Sequence, residues 1–219
     1  MTLPEPRLPR LGALTSGMST ADLVAADDWL ELLVEADLEA ADLQRLEARG
    51  CRVVRSHLLS VRAEETRWVD AEFDECELAG ARMSEAAFTR VLFRGGRLSG
   101  AQLFASRLND VRFESCRADG ASFRFTKGER VAFIDCDLRG AEFVGAELAS
   151  VRFEGCDLEG ADFTQARIAD AHLHRSQLQG IRGATGLQRP VIEASQVVPF
   201  ALSLFAVHGV VVEAVEDEG

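Results

Sequence analysis

Nowhere in its 219 residues does this chain approach the ~20 consecutive apolar residues that a membrane-spanning helix requires, so no membrane association is expected. Residues Met1 to Gly17 carry Pro4, Pro6 and Pro9 in place of an unbroken apolar core. That speaks against a secretory signal and reads as a flexible leader. Cysteine is sparse too. Cys51, Cys76, Cys116, Cys136 and Cys156 number five, and their spacings of 25, 40, 20 and 20 fit neither a CxxC metal knuckle nor a small disulfide framework. Reduced thiols in the cytoplasm are the expectation. Also missing are a glycine-rich phosphate loop, a nucleophile elbow and a paired-carboxylate motif. Nothing in the sequence therefore marks an enzyme or requires a cofactor.

What is present can build a core and a solvated surface, with 47% hydrophobic and 27% charged residues, unlike a disordered chain. The net charge of −12 gathers at the ends. Residues 1–35 hold six acids and two bases, and residues 183–219 hold five and one, whereas the long middle, 36–182, has 25 acids against 21 bases.

The middle repeats with a period of five. Every fifth residue from Leu38 to Leu178 is apolar except Gly128, and the phase never slips. Two residues before each of these centres the side chain is almost always small, as at Ala81, Cys136, Ala141 and Val151. On an α-helix a step of five turns about 140°, which would scatter the centres around the cylinder. On a straight strand an odd step would alternate them between the two faces. A chain that turns a corner every five residues can direct both the small residue and the centre inward, and stacking such coils gives a β-solenoid. Phe73, Phe93, Phe113, Phe133 and Phe153 recur every 20 residues, so one coil has four sides of five. Like residues should then stack about 4.8 Å apart, the spacing of neighbouring strands.

Cys136-Asp137-Leu138-Arg139-Gly140, Ala141-Glu142-Phe143, Cys156-Asp157-Leu158-Glu159-Gly160 and Ala161-Asp162-Phe163 resemble the A(D/N)LXX pattern of the pentapeptide-repeat family. The resemblance implies an all-β fold, a right-handed quadrilateral parallel β-helix. Three parts are expected: a leader and N-terminal cap over 1–35, the β-helix over 36–182, and a C-terminal cap helix, final strand and acidic tail over 183–219. The β-helix would have roughly seven coils and a length of about 35 Å. Its first stretch is the least typical, since Glu39–Arg49 also reads as a short helix.

A solenoid must blunt its open ends. Trp29 to Val34 is the apolar segment available at the N-terminal end, as a helical turn or a strand. At the other end residues 196–207 read as a helix, with Ser195 as N-cap and Gly209 as stop, followed by a strand at Val210–Val212. This helix is apolar nearly all round, so one side should cover the last coil and another a partner. A homodimer is expected, with Phe200 and Leu204 at a two-fold contact.

The cysteines fall on inward positions, where small hydrophobes suffice. His172 and His174, with Asp170 nearby, fall on outward positions and lack further ligands at metal spacing, so no metal site is expected. Outward charges alternate in sign along Asp119, Arg139 and Glu159 and along Lys127, Glu147 and Arg167. Outward apolar residues are rarer; Phe104, Phe125 and Val144, with Arg124 between them, stack on three adjacent coils and form the candidate partner patch. Gly128 should mark a cavity or a bulged corner.

The functional reading is a non-enzymatic protein-interaction module whose partner the sequence does not identify. The resemblance also implies an alternative, because well-understood family members resemble B-DNA and bind DNA gyrase or topoisomerase IV, protecting it from quinolone-type inhibitors. A type II topoisomerase would then be the partner, with no direct nucleic-acid binding. The near balance of acids and bases along the rod weighs against that alternative.

Overall fold

The structure is a computed structural model and describes residues 3–210. It is a parallel β-solenoid of about eight turns with one short C-terminal helix. The strands in chain order are β1 (Asp28–Leu30), β2 (Leu33–Val34), β3 (Glu47–Arg49), β4 (Arg52–Val54), β5 (Arg67–Asp74), β6 (Ala87–Arg94), β7 (Arg107–Glu114), β8 (Lys127–Ile134), β9 (Glu147–Glu154), β10 (Arg167–His172) and β11 (Leu187–Gln188). From β5 to β9 the register is fixed at one coil, so that Phe73, Phe93, Phe113, Phe133 and Phe153 lie directly above one another. The additional turn relative to the sequence reading comes from both ends, where β1 and β2 pair with β3 and β4, and where β11 and Val191 pair with β10. Those pairings step by 19 residues, as in Ile168 on Leu187, so the five-residue phase breaks where the end coils begin and hides them from a strict periodic reading.

The period dictates the core. Phe113 and Phe133 stack at 4.8 Å with their planes 4° apart, and a second column, Phe123, Phe143 and Phe163, stacks at 5.0 Å. The two columns meet edge-on, as in Phe113 against Phe123 at 5.8 Å. Offset or edge-on ring contacts of this kind add to the burial itself. Corners fall at every fifth residue, between one centre and the next small residue. Asp70, Arg90, Asp110 and Arg130 all take φ of 53–57° there, so the corner conformation follows from closing the coil rather than from glycine.

Gly128 lies between Leu108 and Leu148 in the ladder. A Cβ on it would come within 1.8 Å of the Leu108 carbonyl oxygen. The register runs through Gly128 unbroken, so the site is a close approach of two backbones, neither an empty space nor a bulge.

At the N-terminal end Trp29 is fully buried, and its indole N–H donates to the Leu23 carbonyl of α1 (Thr20–Ala25) at 3.1 Å. Glu39–Arg49 forms turns and β3, not a helix. At the other end α2 spans Val197–Val207. Its N-cap is Gln196 and not Ser195, because Glu193 and Gln196 close a capping box one turn earlier. The Gln196 amide also donates to the open carbonyls of Leu173 and Ser176, which blunts the last coil. Gly209, at φ 67°, ends the helix as expected. Of the expected final strand, Val210 is not in a strand, and Val211 and Val212, like the acidic tail, lie outside the described residues.

Candidate interaction surfaces

A solenoid of this period points two residues of each side inward, so whatever distinguishes one such chain from another is carried by the outward ones. Phe104 follows the buried centre Leu103, and Phe125 sits on the next coil at a left-handed corner, φ 55°. Their rings meet edge-on at 5.6 Å, and each is about two-fifths exposed, 41% and 42%. The Arg124 guanidinium lies 5.9 Å from the Phe125 ring centre and 3.6 Å from Glu142. Val144 is half-buried beside them, and its carbonyl accepts the Phe125 N–H at 3.0 Å. Beneath Phe125 lies Gly145, where a Cβ would meet the ring at 2.5 Å, so the absence of a side chain there gives the ring its seat. The four residues expected as a patch are therefore contiguous, with an aromatic pair at the centre and an ion pair at its edge.

The α2 residues are placed differently from the expected two-fold contact. Phe200 is buried with the core, and Leu204 is packed against it, because these two lie on the side that closes the last coil. The outer side carries Val198, Leu202 and Phe205, exposed at 67%, 48% and 45%. An apolarity that runs nearly all round the helix cannot tell the inner side from the outer one.

His172 and His174 stack at 5.5 Å. Burial and the neighbouring His174 lower the affinity of His172 for a proton. Asp170 turns to Arg189 at 2.8 Å rather than to the histidines, and His174 faces Glu193 at 3.8 Å. Among the described residues no three His, Cys, Asp or Glu side chains are grouped to hold a metal ion. The five thiols are free and buried, and burial pushes Cys76 up to about 11. Cys116, Cys136 and Cys156 donate to backbone carbonyls of the adjoining coil at 3.3–3.5 Å.

Charges on the outer surface are largely neutralised between coils. Lys127, Glu147 and Arg167 pair in sequence at 3.2 and 3.6 Å. Arg139 pairs sideways with Asp137 at 2.6 Å, and at 3.7 Å with Asp157, instead of stacking on Asp119 and Glu159. One corner column carries two close ion pairs, Arg90 on Asp70 and Arg130 on Asp110, each bidentate.

The stretch expected as a leader also has a place. Arg10 N–H donates to Asp70, Arg7 holds Asp110 through its backbone and its guanidinium, and Glu5 reaches Arg152 and Arg112. Leu3 and Pro6 are buried. The sequence signal for this strap is weak but visible in retrospect: the outward column Glu72, Leu92, Arg112, Ala132, Arg152 contains two apolar residues, and both are buried. Burial of Asp110 opposes its charge, yet the Arg130 and Arg7 guanidiniums hold its carboxyl well below the usual carboxylate range.

A coiled parallel sheet with one stacked core, repeating every 20 residues between its end coils, defines a solenoid repeat protein. The chain belongs to the pentapeptide-repeat family: residues 106–182 match the family described as Pentapeptide repeat region, and residues 60–95 match Pentapeptide repeats (8 copies). Among solved structures it is similar to HetL, a pentapeptide repeat protein involved in heterocyst differentiation regulation from the cyanobacterium Nostoc. The two are 18% identical over 81% of this chain and 95% of that one, with a TM-score of 0.39. It is also similar to full-length QnrB1, a plasmid-mediated fluoroquinolone resistance protein, at 18% identity over 82% of this chain and 99% of that one, with a TM-score of 0.35. No curated protein matches the chain. None of the helices among the described residues is long and apolar enough to cross a membrane.

Proposed function

We propose that the protein is a non-enzymatic, cytoplasmic interaction module that binds a protein partner through the Phe104–Phe125 patch. The observation that carries this reading is the exposed aromatic pair, seated on Gly145 and edged by Arg124, on the outer surface of the rod. Aromatic residues and arginine supply most of the energy at protein interfaces, and completing the burial of one such ring is worth roughly 1–2 kcal/mol. The reading is preferred to mimicry of duplex DNA because so many of the rod's carboxylates are paired with arginines on the same or the next coil. A mimic needs its negative charge unpaired and continuous.

The proposal includes a homodimer through the outer side of α2, since Val198, Leu202 and Phe205 leave a contiguous apolar strip at the end of the rod. Quantitative affinity capture from extracts of the source organism tests the partner reading. Proteins bound by wild type should be lost with Phe104→Asp/Phe125→Asp and kept with Gln102→Glu on the same face. Identical capture by all three would end the assignment of the patch.

A further inference from the structure

A second face, separate from the aromatic patch, is already occupied. Residues 3–10 lie along the outer side of the strands, touching the rod from Asp70 in β5 to Arg152 in β9. Those strands span about 19 Å at about 4.8 Å per coil. Residues 5–10 reach about 16 Å in the extended polyproline conformation that Pro4, Pro6 and Pro9 favour. Segment and face match in length.

We propose that this face is a peptide-binding site which residues 3–10 fill in cis. In trans it takes an extended, proline-rich protein segment with a carboxylate followed two residues later by a guanidinium. Three features make the segment a displaceable ligand rather than part of the coil. Its backbone joins no ladder: the amides of Arg7 and Arg10 donate to the carboxylates of Asp110 and Asp70, not to carbonyls. The carboxylates it leaves behind stay satisfied, because Arg130 holds Asp110 at 2.6 and 3.0 Å and Arg90 holds Asp70 at 2.6 Å. Finally, Thr15 is anchored independently, pairing with Leu32 at the N-terminal cap, so residues 3–10 can leave without unravelling the end coil.

What the open face would present is specific. Arg152 has no acidic partner other than Glu5 among the described residues, and its Nε is buried without a hydrogen bond. Asp110, whose side chain has no exposed surface while the strap is in place, would accept the incoming guanidinium. Leu92 and Ala132 would supply the apolar floor between these charges. A Glu-Pro-Arg order satisfies all of them, as Glu5-Pro6-Arg7 does in cis.

The test uses the full chain and a fluorescein-labelled peptide of residues 1–12, read by anisotropy. Tethering gives the internal segment an effective concentration of about a millimolar, so the wild-type chain should bind the peptide at least about tenfold more weakly than Glu5→Ala/Arg7→Ala, whose own strap is loosened. Adding Arg152→Ala to that variant, or exchanging the peptide's glutamate and arginine, should each remove about tenfold of the binding. Thermal melts establish that each variant is folded, and the exchanged peptide carries the same test with no change to the protein. Equal binding by wild type and the loosened variant overturns the proposal. So does indifference to the charge exchange, or no binding to the loosened variant at about millimolar peptide.

Discussion

Replacing Phe133 by Ala removes the ring at the centre of the main aromatic column. Phe133 is fully buried, with Phe113 at 4.8 Å and Phe153 at 5.2 Å on its two faces and Phe123 and Phe143 edge-on at 5.4 and 5.8 Å. Losing the burial alone costs about 1.5–3 kcal/mol. Each lost ring contact adds about 0.5–1.5 kcal/mol at most, and these terms overlap. The void cannot close easily, because Phe113 and Phe153 are fixed by the ladders of β7 and β9, which β8 holds apart. The loss should therefore sit in the upper part of the large-to-small range, about 4–5 kcal/mol. Guanidinium denaturation followed by far-UV circular dichroism measures it, with Gln102→Ala, an exposed residue on a different side, expected to cost under about 0.5 kcal/mol. Equal losses at the two positions, or a Phe133→Ala loss below about 2 kcal/mol, would refute a core built on the five-residue period.

Gly128→Leu should destabilise by more than about 2 kcal/mol, since its Cβ would clash with the Leu108 carbonyl; a higher denaturation midpoint would mean that the site is an unfilled space. Asp110 ionises more readily folded than unfolded, so its contribution is present above the unfolded value of about 3.9 and is lost as pH falls below that. Urea titrations from pH 7 down to 2 should then show the stability gap between wild type and Asp110→Asn narrowing below about pH 4, and a gap that widened on acidification would contradict the assignment of the ion pairs. Sedimentation equilibrium at tens of micromolar should give about twice the 23.9 kDa chain mass, and Val198→Asp/Phe205→Asp should give a folded monomer. A wild-type monomer would leave the outer side of α2 without its assigned partner.

Much of this architecture is written in the residues, because burial acts on the same position of every coil. Phe73 to Phe153 announce both the coil length and the column, and the order Leu103, Phe104, Phe125, Val144 is enough to place the patch. The corners are less legible. Arg90 and Arg130 are not residues that favour left-handed backbone, and only the closure of the coil puts them there. The strap is nearly invisible to any local reading, since Arg7 finds its partner 103 residues away and Glu5 finds Arg152 147 residues away. Composition identified a proline-bearing leader, but a carboxylate and a guanidinium two residues apart gain meaning only against the Arg152 and Asp110 that face them. For α2 the sequence supplied the helix and its stop, while the choice of buried side depended on the last coil it covers.

The claim that this is an interaction rod of mixed surface charge, and not a duplex mimic, meets its most direct test in a supercoiling assay with DNA gyrase. The assay runs with and without a quinolone over graded concentrations of the protein. The ion pairs along the rod predict unchanged supercoiling and unchanged quinolone inhibition at every concentration. Dose-dependent inhibition of the enzyme, or its protection from the drug, would contradict the account.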